Sequence, residues 1–180
     1  EGAGFDAAAL DHLPPLVKFG TWIGGDRDGH PFVTADVTCK ALRALRTNAL
    51  RVQRRALEAL AHQLPLSVLF QPVPPTLQSL MDRLAAELDG QPGVDVRYIL
   101  ERNREEPWRA AVYLMRAKVL LAIEHPESPG GYRAPTDLQA DLDVVASSLE
   151  GSGASALVRE LIVPFRRQIA AFGFHSASLD

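Results

Sequence analysis

The sequence predicts a mainly α-helical protein with one short strand near each end. Over most of the 180 residues, apolar side chains recur every three to five positions, which is the spacing of a buried helix face. Residues 16–23 and 172–179 instead combine β-branched or aromatic types, or alternate large with small, and predict strands. The content of 47% hydrophobic and 23% charged residues is typical of a globular domain, and we expect no domain boundary within residues 1–180.

The first predicted strand leads into a loop of unusual composition. Residues 16–23 mix Val, Phe, Thr, Trp and Ile, which fit a pleated and largely buried surface. Three glycines and three charged residues follow, and glycine permits positive φ angles and the close approach of another backbone or a ligand. We therefore take as the functional centre of the chain Gly24, Gly25, Asp26, Arg27, Asp28, Gly29 and His30.

The longest predicted helix begins after this loop. Thr34 is a suitable N-cap, Asp36 complements the helix dipole in the first turn, and Pro65 ends the run. The predicted buried side carries Val37, Leu42, Leu45, Ala49, Val52, Ala56, Leu57, Leu60 and Leu64. The opposite side is either solvated and paired with acidic neighbours or an anion-binding face; it carries Lys40, Arg43, Arg46, Arg51, Arg54 and Arg55. No aromatic residue interleaves with these charges, which argues against base stacking.

A connector and a second amphipathic helix follow. Residues 66–75 contain three prolines, and we expect the apolar residues 68–70 to pack against the core. Thr76 is the predicted cap of a helix that ends at Asp89 and Gly90. Its buried side is predicted at Leu77, Leu80, Met81, Leu84, Ala85 and Leu88.

The second half of the chain is also predicted to be helical. Residues 94–105 form a short helix, and Pro107 takes the first position of the next one, where its missing N–H costs nothing. The buried side of that helix is predicted at Trp108, Ala111, Val112, Met115, Val119 and Ile123.

The last third contains a predicted loop and two helices. Residues 125–135 hold three prolines and two glycines, and predict a mobile surface loop. Thr136 is the expected cap of a helix to about residue 149. Residues 155–172 are predicted to be helical again, with a bend or a split at Pro164.

The loop at residues 24–30 allows two interpretations. Its peptide N–H groups and the guanidinium of Arg27 suit a carboxylate or phosphate ligand. It is equally consistent with a tight turn in which Asp26 and Asp28 pair with Arg27 and hold neighbouring helices. A calcium loop is excluded because no downstream acidic ligand has the required spacing, and a phosphate loop because no Gly-Lys-Ser/Thr follows.

Other chemistry-bearing residues are scattered. The five histidines form no metal-binding motif, and only His30 adjoins the charged loop. Cys39 is the single cysteine, so no internal disulfide forms. We expect Trp22 and Trp108 to lie in the core. A net charge of -3, with no apolar run of about 20 residues, predicts neither a nucleic-acid nor a membrane partner.

Three stretches of the chain resemble phosphoenolpyruvate carboxylases. Residues 19–34 read Phe-Gly-Thr-Trp-Ile-Gly-Gly-Asp-Arg-Asp-Gly-His-Pro-Phe-Val-Thr, which resembles the family signature Phe-x-Ser-Trp-Met-Gly-Gly-Asp-Arg-Asp-Gly-Asn-Pro-x-Val-Thr. Residues 106–109 are similar to the family's Glu-Pro-Tyr-Arg helix start, and residues 172–180 to the segment that leads to its Leu-Asp-x-Arg-Gln motif. Thr21 and His30 depart from the family's usual Ser and Asn.

The resemblance implies a specific activity and architecture. Family members join bicarbonate to phosphoenolpyruvate with Mg²⁺ or Mn²⁺, and pass through carboxyphosphate and the enolate of pyruvate to oxaloacetate and phosphate. They are cytoplasmic helical proteins built around an eight-stranded α/β barrel, usually homotetramers, so residues 16–23 and 172–179 would be two barrel strands. Barrel active sites lie at the carboxyl ends of strands, which implies that residues 24–30 bind substrate or effector.

The resemblance also implies an incomplete site. The family's catalytic His, catalytic Lys and metal-binding acidic residues have no counterpart in residues 1–180, so we expect no catalytic residue and no metal ligand here. The first residue is Glu1 rather than Met, which suggests an excised part whose main partner is the remainder of the same polypeptide. We predict that this chain alone is catalytically silent. The alternative is a helical module without chemistry that binds an anionic metabolite or protein through Arg27 and the basic helix 40–55.

Overall fold

A computed structural model describes residues 20–21, 33–64 and 66–175, and the backbone of residues 178–179. The predicted mainly α-helical fold is confirmed. In chain order the elements are β1 Gly20–Thr21, α1 Ala35–His62, α2 Pro75–Leu88, α3 Val96–Arg102, α4 Pro107–Glu124, α5 Pro135–Gly151, α6 Ser155–Leu157, a π-helical turn Val158–Ile162, α7 Val163–Phe172 and β2 Ser178–Leu179.

Helix α4 is the centre of the core. Pro107 occupies its first turn, as predicted, and the helix contacts α1, α2, α3 and α5. Because neighbours surround it, most of its circumference is buried, and of the six residues predicted to be buried only Ile123 is partly exposed. Trp108 is fully buried, and its indole Nε1 donates a hydrogen bond to Ser148 Oγ at 2.9 Å. The expectation that Trp108 belongs to the core is therefore confirmed, while Trp22 lies outside the described residues.

Helix α1 begins as predicted, but its buried side differs. The Thr34 side chain accepts a hydrogen bond from the Val37 N–H at 3.4 Å. Val37, Leu42 and Val52 are 40%, 38% and 46% exposed, so their predicted burial is wrong. Residues five positions apart on a helix are separated by about 140° around its axis, so the residues predicted to be buried do not all lie on one face. The buried residues of α1 begin only in its second half, at Ala49, Leu50, Gln53, Leu57, Leu60 and Ala61.

Two helices begin two residues earlier than predicted. Pro75 and Pro135 occupy the first turns of α2 and α5, so Thr76 and Thr136 lie inside the helices and do not cap them. The fixed φ of proline suits the first helical position and explains the shift. At the start of α5, the Asp137 carboxylate instead accepts a hydrogen bond from the Ala134 N–H at 3.2 Å.

Two connectors differ from expectation. Leu69 and Phe70 are 72% and 88% exposed, because local hydrogen bonds close a turn at Ser67 that points both side chains away from the core. The predicted surface loop at residues 125–135 is exposed only in part, since its second half is buried at Gly130 and Tyr132. A Cβ atom on Gly130 would lie 2.7 Å from the Glu87 carbonyl oxygen, so the loop packs closely against α2 there.

The C-terminal helix is split near Pro164, as predicted. Proline has no amide hydrogen to donate to the preceding turn, and the π-helical turn Val158–Ile162 lies immediately before it. The short helix predicted over residues 94–105 is confirmed as α3. No helix in the described part of the chain combines the length and apolar character needed to cross a membrane.

The two strands pair in parallel. Gly20 is opposite Ser178, and Thr21 is opposite Leu179. The predicted strand at residues 16–23 is confirmed at β1, and its other residues lie outside the described part of the chain. The predicted strand at 172–179 is wrong at its start, because Phe172 ends α7 and a turn follows. Parallel strands need a crossover connection, and here the helical bundle is that connection.

Candidate functional site

The sequence-predicted binding loop lies outside the described residues. This applies to Gly24, Gly25, Asp26, Arg27, Asp28, Gly29 and His30. The structure does describe the elements on either side of them, which are β1 and the Thr34 cap of α1. Because β1 and β2 are parallel, their carboxyl ends lie at the same edge of the pair.

The predicted basic side of α1 is mostly exposed. Lys40 forms an ion pair with Asp36 at 2.6 Å, in which both side chains are exposed. Arg43 and Arg55 are exposed, and neither forms an ion pair within the part of the chain that the structure describes. Arg46 differs, because it turns inward and its Nη2 lies 3.5 Å from each of the carbonyl oxygens of Tyr132 and Arg133. The six basic residues therefore do not act as one surface.

A partly buried charged network, which sequence reasoning missed, joins three helices. We call Arg83, Glu87, Lys118, Tyr132 and Asp141 the Tyr132 cluster. Tyr132 Oη donates to Asp141 Oδ2 at 2.6 Å, and Arg83 pairs with the other Asp141 oxygen. Arg83 Nη1 also lies 3.1 Å from Glu87 Oε1, and Lys118 pairs with Glu87 Oε2. The Lys118 ammonium lies 4.6 Å from the centroid of the Tyr132 ring, a cation–π geometry.

The protonation of this cluster follows from its geometry. Burial, followed by the Asp141 charge, raises the pKa of Tyr132 well above its ordinary value. Partial burial acts to raise the pKa of Glu87, but Lys118 and then Arg83 outweigh it and lower that pKa. Partial burial acts to lower the pKa of Arg83, but Asp141 and Glu87 outweigh it and raise that pKa. At neutral pH Tyr132 is therefore neutral, and Glu87 and Arg83 are charged.

The cluster lines a pocket of about 460 Å³ in which the charges balance. Its cations are Arg83, Lys118 and Arg133, and its anions are Glu87, Asp137 and Asp141. Among the described residues, no group of His, Cys, Asp or Glu side chains is arranged to hold a metal ion. Four of these groups already pair with one another, and Arg133 and Asp137 add one charge of each sign, so the pocket selects no ligand charge. Arg83 and Glu87 are four residues apart on a predicted helix, so their pairing could be expected from the sequence. Tyr132 lies in a segment predicted to be a surface loop and Asp141 in a predicted helix, and the sequence singled out neither of them.

A second pocket, of about 520 Å³, lies between α1, α3 and α4. Arg116 Nε lies 3.3 Å from Glu58 Oε2 across it. The Arg102 guanidinium lies 5.8 Å from the Tyr98 ring centroid, and its Nη1 donates to Tyr98 Oη at 2.6 Å. Both arginines are thus held by neighbours on the protein, and the pocket offers no distinct ligand chemistry.

The remaining candidate side chains stay apart. His62, His125 and His175 are exposed and lie on different elements, and Cys39 is exposed on α1. In the described chain, then, the feature that bears most on the predicted loop is the pairing of β1, the strand that precedes the loop in sequence, with β2.

Comparison with known proteins gives one consistent result. A sequence model described as phosphoenolpyruvate carboxylase matches residues 5–180. A phosphoenolpyruvate carboxylase of Rhodopseudomonas palustris (strain BisA53) is 34% identical over 97% of this chain and 19% of its own length. Those of Roseiflexus castenholzii and Aromatoleum aromaticum are 34% and 35% identical, each over 93% of this chain. The chain spans about a fifth of the length of these curated relatives, 19%, 19% and 18% in turn.

Proposed function

Since the chain belongs to the phosphoenolpyruvate carboxylase family, we propose that it contributes to the carboxylation of phosphoenolpyruvate by bicarbonate. The products are oxaloacetate and phosphate. The observation that carries this proposal is the family match over residues 5–180, which leaves almost none of the chain outside it. Three relatives carry the same name and align over 93% or more of the chain.

The role proposed for this region is to supply one wall of the binding site. The parallel pairing of β1 and β2 supports it, because sites in parallel α/β barrels form at the carboxyl ends of strands. Gly24 to His30 directly follow the first predicted strand. Peptide N–H groups and the Arg27 guanidinium suit the phosphate or carboxylate of phosphoenolpyruvate, or the carboxylate of an effector.

The rest of the chemistry is assigned to residues outside this chain. Mg²⁺ or Mn²⁺, when bound, would stabilise the negative charge of the enolate. We propose no metal ligand, general base or catalytic lysine in residues 1–180. The full-length protein is proposed to be a cytoplasmic homotetramer, and the 180-residue chain by itself to be inactive. Formation of oxaloacetate by the purified chain above a protein-free control would contradict that last point.

The loop proposal is tested by Arg27→Ala in the full-length protein. We expect kcat/KM for phosphoenolpyruvate, or the response to a carboxylate effector, to fall by about tenfold, which corresponds to loss of about 1.4 kcal/mol of charge-assisted hydrogen bonding. Arg43→Ala is the matched control, because Arg43 is exposed on α1 and forms no ion pair with other described residues. Circular dichroism should be unchanged in both variants. If Arg27→Ala keeps wild-type kinetics and effector response, the loop is a structural turn and binds neither ligand.

The alternative of an independent anion-binding module has less support. It rests on the exposed arginines of α1, and Arg46 has turned away from that surface. The family match explains the whole chain without it.

A further inference from the structure

The turn between α7 and β2 has an unusual backbone. Gly173 follows the last residue of α7 with φ 51° and ψ -136°, a conformation that residues with a side chain rarely adopt. Phe174, the next residue, is fully buried. The chain therefore leaves the helix in one fixed direction before it reaches β2.

A buried amide on α1 holds this turn. Gln53 is 0% exposed, and its Nε2 donates a hydrogen bond to the Gly173 carbonyl oxygen at 3.1 Å. Gln168 Nε2 donates to Gln53 Oε1 at 3.0 Å, which fixes the orientation of the Gln53 amide. A buried polar side chain is costly unless its hydrogen bonds are made, and here both ends of the amide have a partner.

A cation on the same side of α1 holds the next residue. Arg46 lies about two helical turns before Gln53, and its guanidinium carbon is 5.5 Å from the centroid of the Phe174 ring. The same guanidinium approaches the Tyr132 and Arg133 carbonyl oxygens at 3.5 Å. Arg46 forms no ion pair with any described residue, so the groups around it are an aromatic face and neutral acceptors. We call Arg46, Gln53, Gln168, Gly173 and Phe174 the α1 clamp.

We propose that Arg46 and Gln53 are positioning residues that fix where β2 begins and so hold the carboxyl edge of the β1–β2 pair. A slip of one residue in strand pairing turns every side chain to the other face. The described pairing has two residues in each strand, so a fixed approach of the chain to β2 would help to set its register. Helix α1 is the next described element after β1, and through the clamp it contacts the turn that precedes β2. The proposal rests on the proposed function, since that edge matters for turnover only if a site forms there.

The test compares three α1 variants in the full-length protein. Gln53→Leu keeps the approximate size but donates no hydrogen bond, and Arg46→Gln removes the cation; Arg43→Gln is the matched exposed control on the same helix. Kinetics are measured well below each melting midpoint. We expect kcat/KM for phosphoenolpyruvate to fall about tenfold or more in the two clamp variants, because small misplacements of a reacting group cost that much. Arg46→Lys should recover part of the loss, since it keeps the cation over the ring.

A second measurement does not depend on activity. Hydrogen exchange in the 180-residue chain should speed up in peptides that cover residues 20–21 and 173–179 in Gln53→Leu and Arg46→Gln, and stay at the wild-type rate in Arg43→Gln. If both clamp variants have wild-type kcat and KM, the proposal is overturned, even where melting points fall or exchange is faster. The clamp would then have only a structural role. If Arg46→Gln does not fold, Gln53→Leu decides. Arg27→Ala tests the loop separately. If Arg27→Ala has wild-type kinetics while the clamp variants are impaired, the loop's role is refuted and the clamp proposal is retained.

Discussion

Two polar regions of the bundle are built on different electrostatic principles. In the Tyr132 cluster, every charge faces an opposite charge, and Asp141 accepts from both Tyr132 and Arg83. In the α1 clamp, the only charge is Arg46, and its described contacts are a ring and two carbonyl oxygens. Both regions connect the segment at residues 132–133 to distant helices. The cluster therefore depends on pairs of opposite charges, while the clamp depends on one cation over an aromatic ring and on the amide hydrogen bonds of Gln53.

The difference predicts what each region contributes. Breaking a buried ion pair leaves a charge without compensation, which is more costly than losing the pair as a whole. Losing a cation–π contact or a neutral hydrogen bond costs less. We expect the cluster to govern stability and the clamp to govern the geometry of the strand edge.

The largest effect is expected for Asp141→Ala. Asp141 is 4% exposed, and its removal leaves the buried Tyr132 hydroxyl without its acceptor, while Arg83 keeps its ion pair with Glu87. The free energy of unfolding should fall by about 3 kcal/mol, mainly because a buried hydroxyl loses its hydrogen-bond acceptor, measured by urea denaturation at neutral pH. Arg46→Gln should cost about 1 kcal/mol in the same assay. Asp82→Ala, which removes an exposed carboxylate from α2, is the control and should change stability by less than about 0.5 kcal/mol. If Asp141→Ala and Arg46→Gln cost the same, the contrast between the two regions is wrong.

A smaller effect is expected where the chain approaches the cluster at Gly130. An added Cβ would lie 2.7 Å from the Glu87 carbonyl oxygen and 3.0 Å from Leu121 Cδ2, and backbone cannot yield as a flexible side chain can. Gly130→Ala should therefore lower the free energy of unfolding by about 2 kcal/mol. Gly151→Ala is the matched control, because nothing lies within 4 Å of its Cβ position. Equal melting points for the two variants would show that the loop moves aside without cost.

The contrast also explains what the sequence could predict. Helix α4 and the Thr34 cap follow from local periodicity and capping chemistry, and both are confirmed. The burial of Gln53 could not be predicted, because its partners Gln168 and Gly173 are more than a hundred positions away along the chain. The same holds for the Tyr132 cluster, whose members come from four separate segments.

Predictions of helix caps and of buried apolar residues were wrong where a neighbouring residue imposed a different local conformation. Thr76 and Thr136 are good caps by composition, but a proline directly before each one occupies the first helical turn. Phe70 is apolar, and the turn at Ser67 nevertheless directs it to solvent. The binding loop at residues 24–30 stays a prediction, since it came from composition and resemblance and lies outside the described residues.

The smallest expected effect separates the two regions by pH. Tyr132→Phe loses one buried hydrogen bond and should cost about 1 kcal/mol at neutral pH. The pKa of Tyr132 is raised well above its ordinary value, so above about pH 10 the unfolded chain ionises this hydroxyl while the folded chain keeps it neutral. The unfolded state then binds fewer protons, and wild-type stability falls as pH rises by about 1.4 kcal/mol per pH unit from this group alone. Tyr132→Phe lacks that loss. The difference in free energy of unfolding between the wild type and this variant should therefore shrink and vanish near pH 11, measured by urea denaturation from pH 7 to 11. Arg46→Gln leaves Tyr132 and its hydrogen bond in place, and its curve should stay parallel to that of the wild type. Parallel curves for Tyr132→Phe would mean that the hydroxyl ionises as readily in the folded protein as in the unfolded one, and that the cluster is open to water.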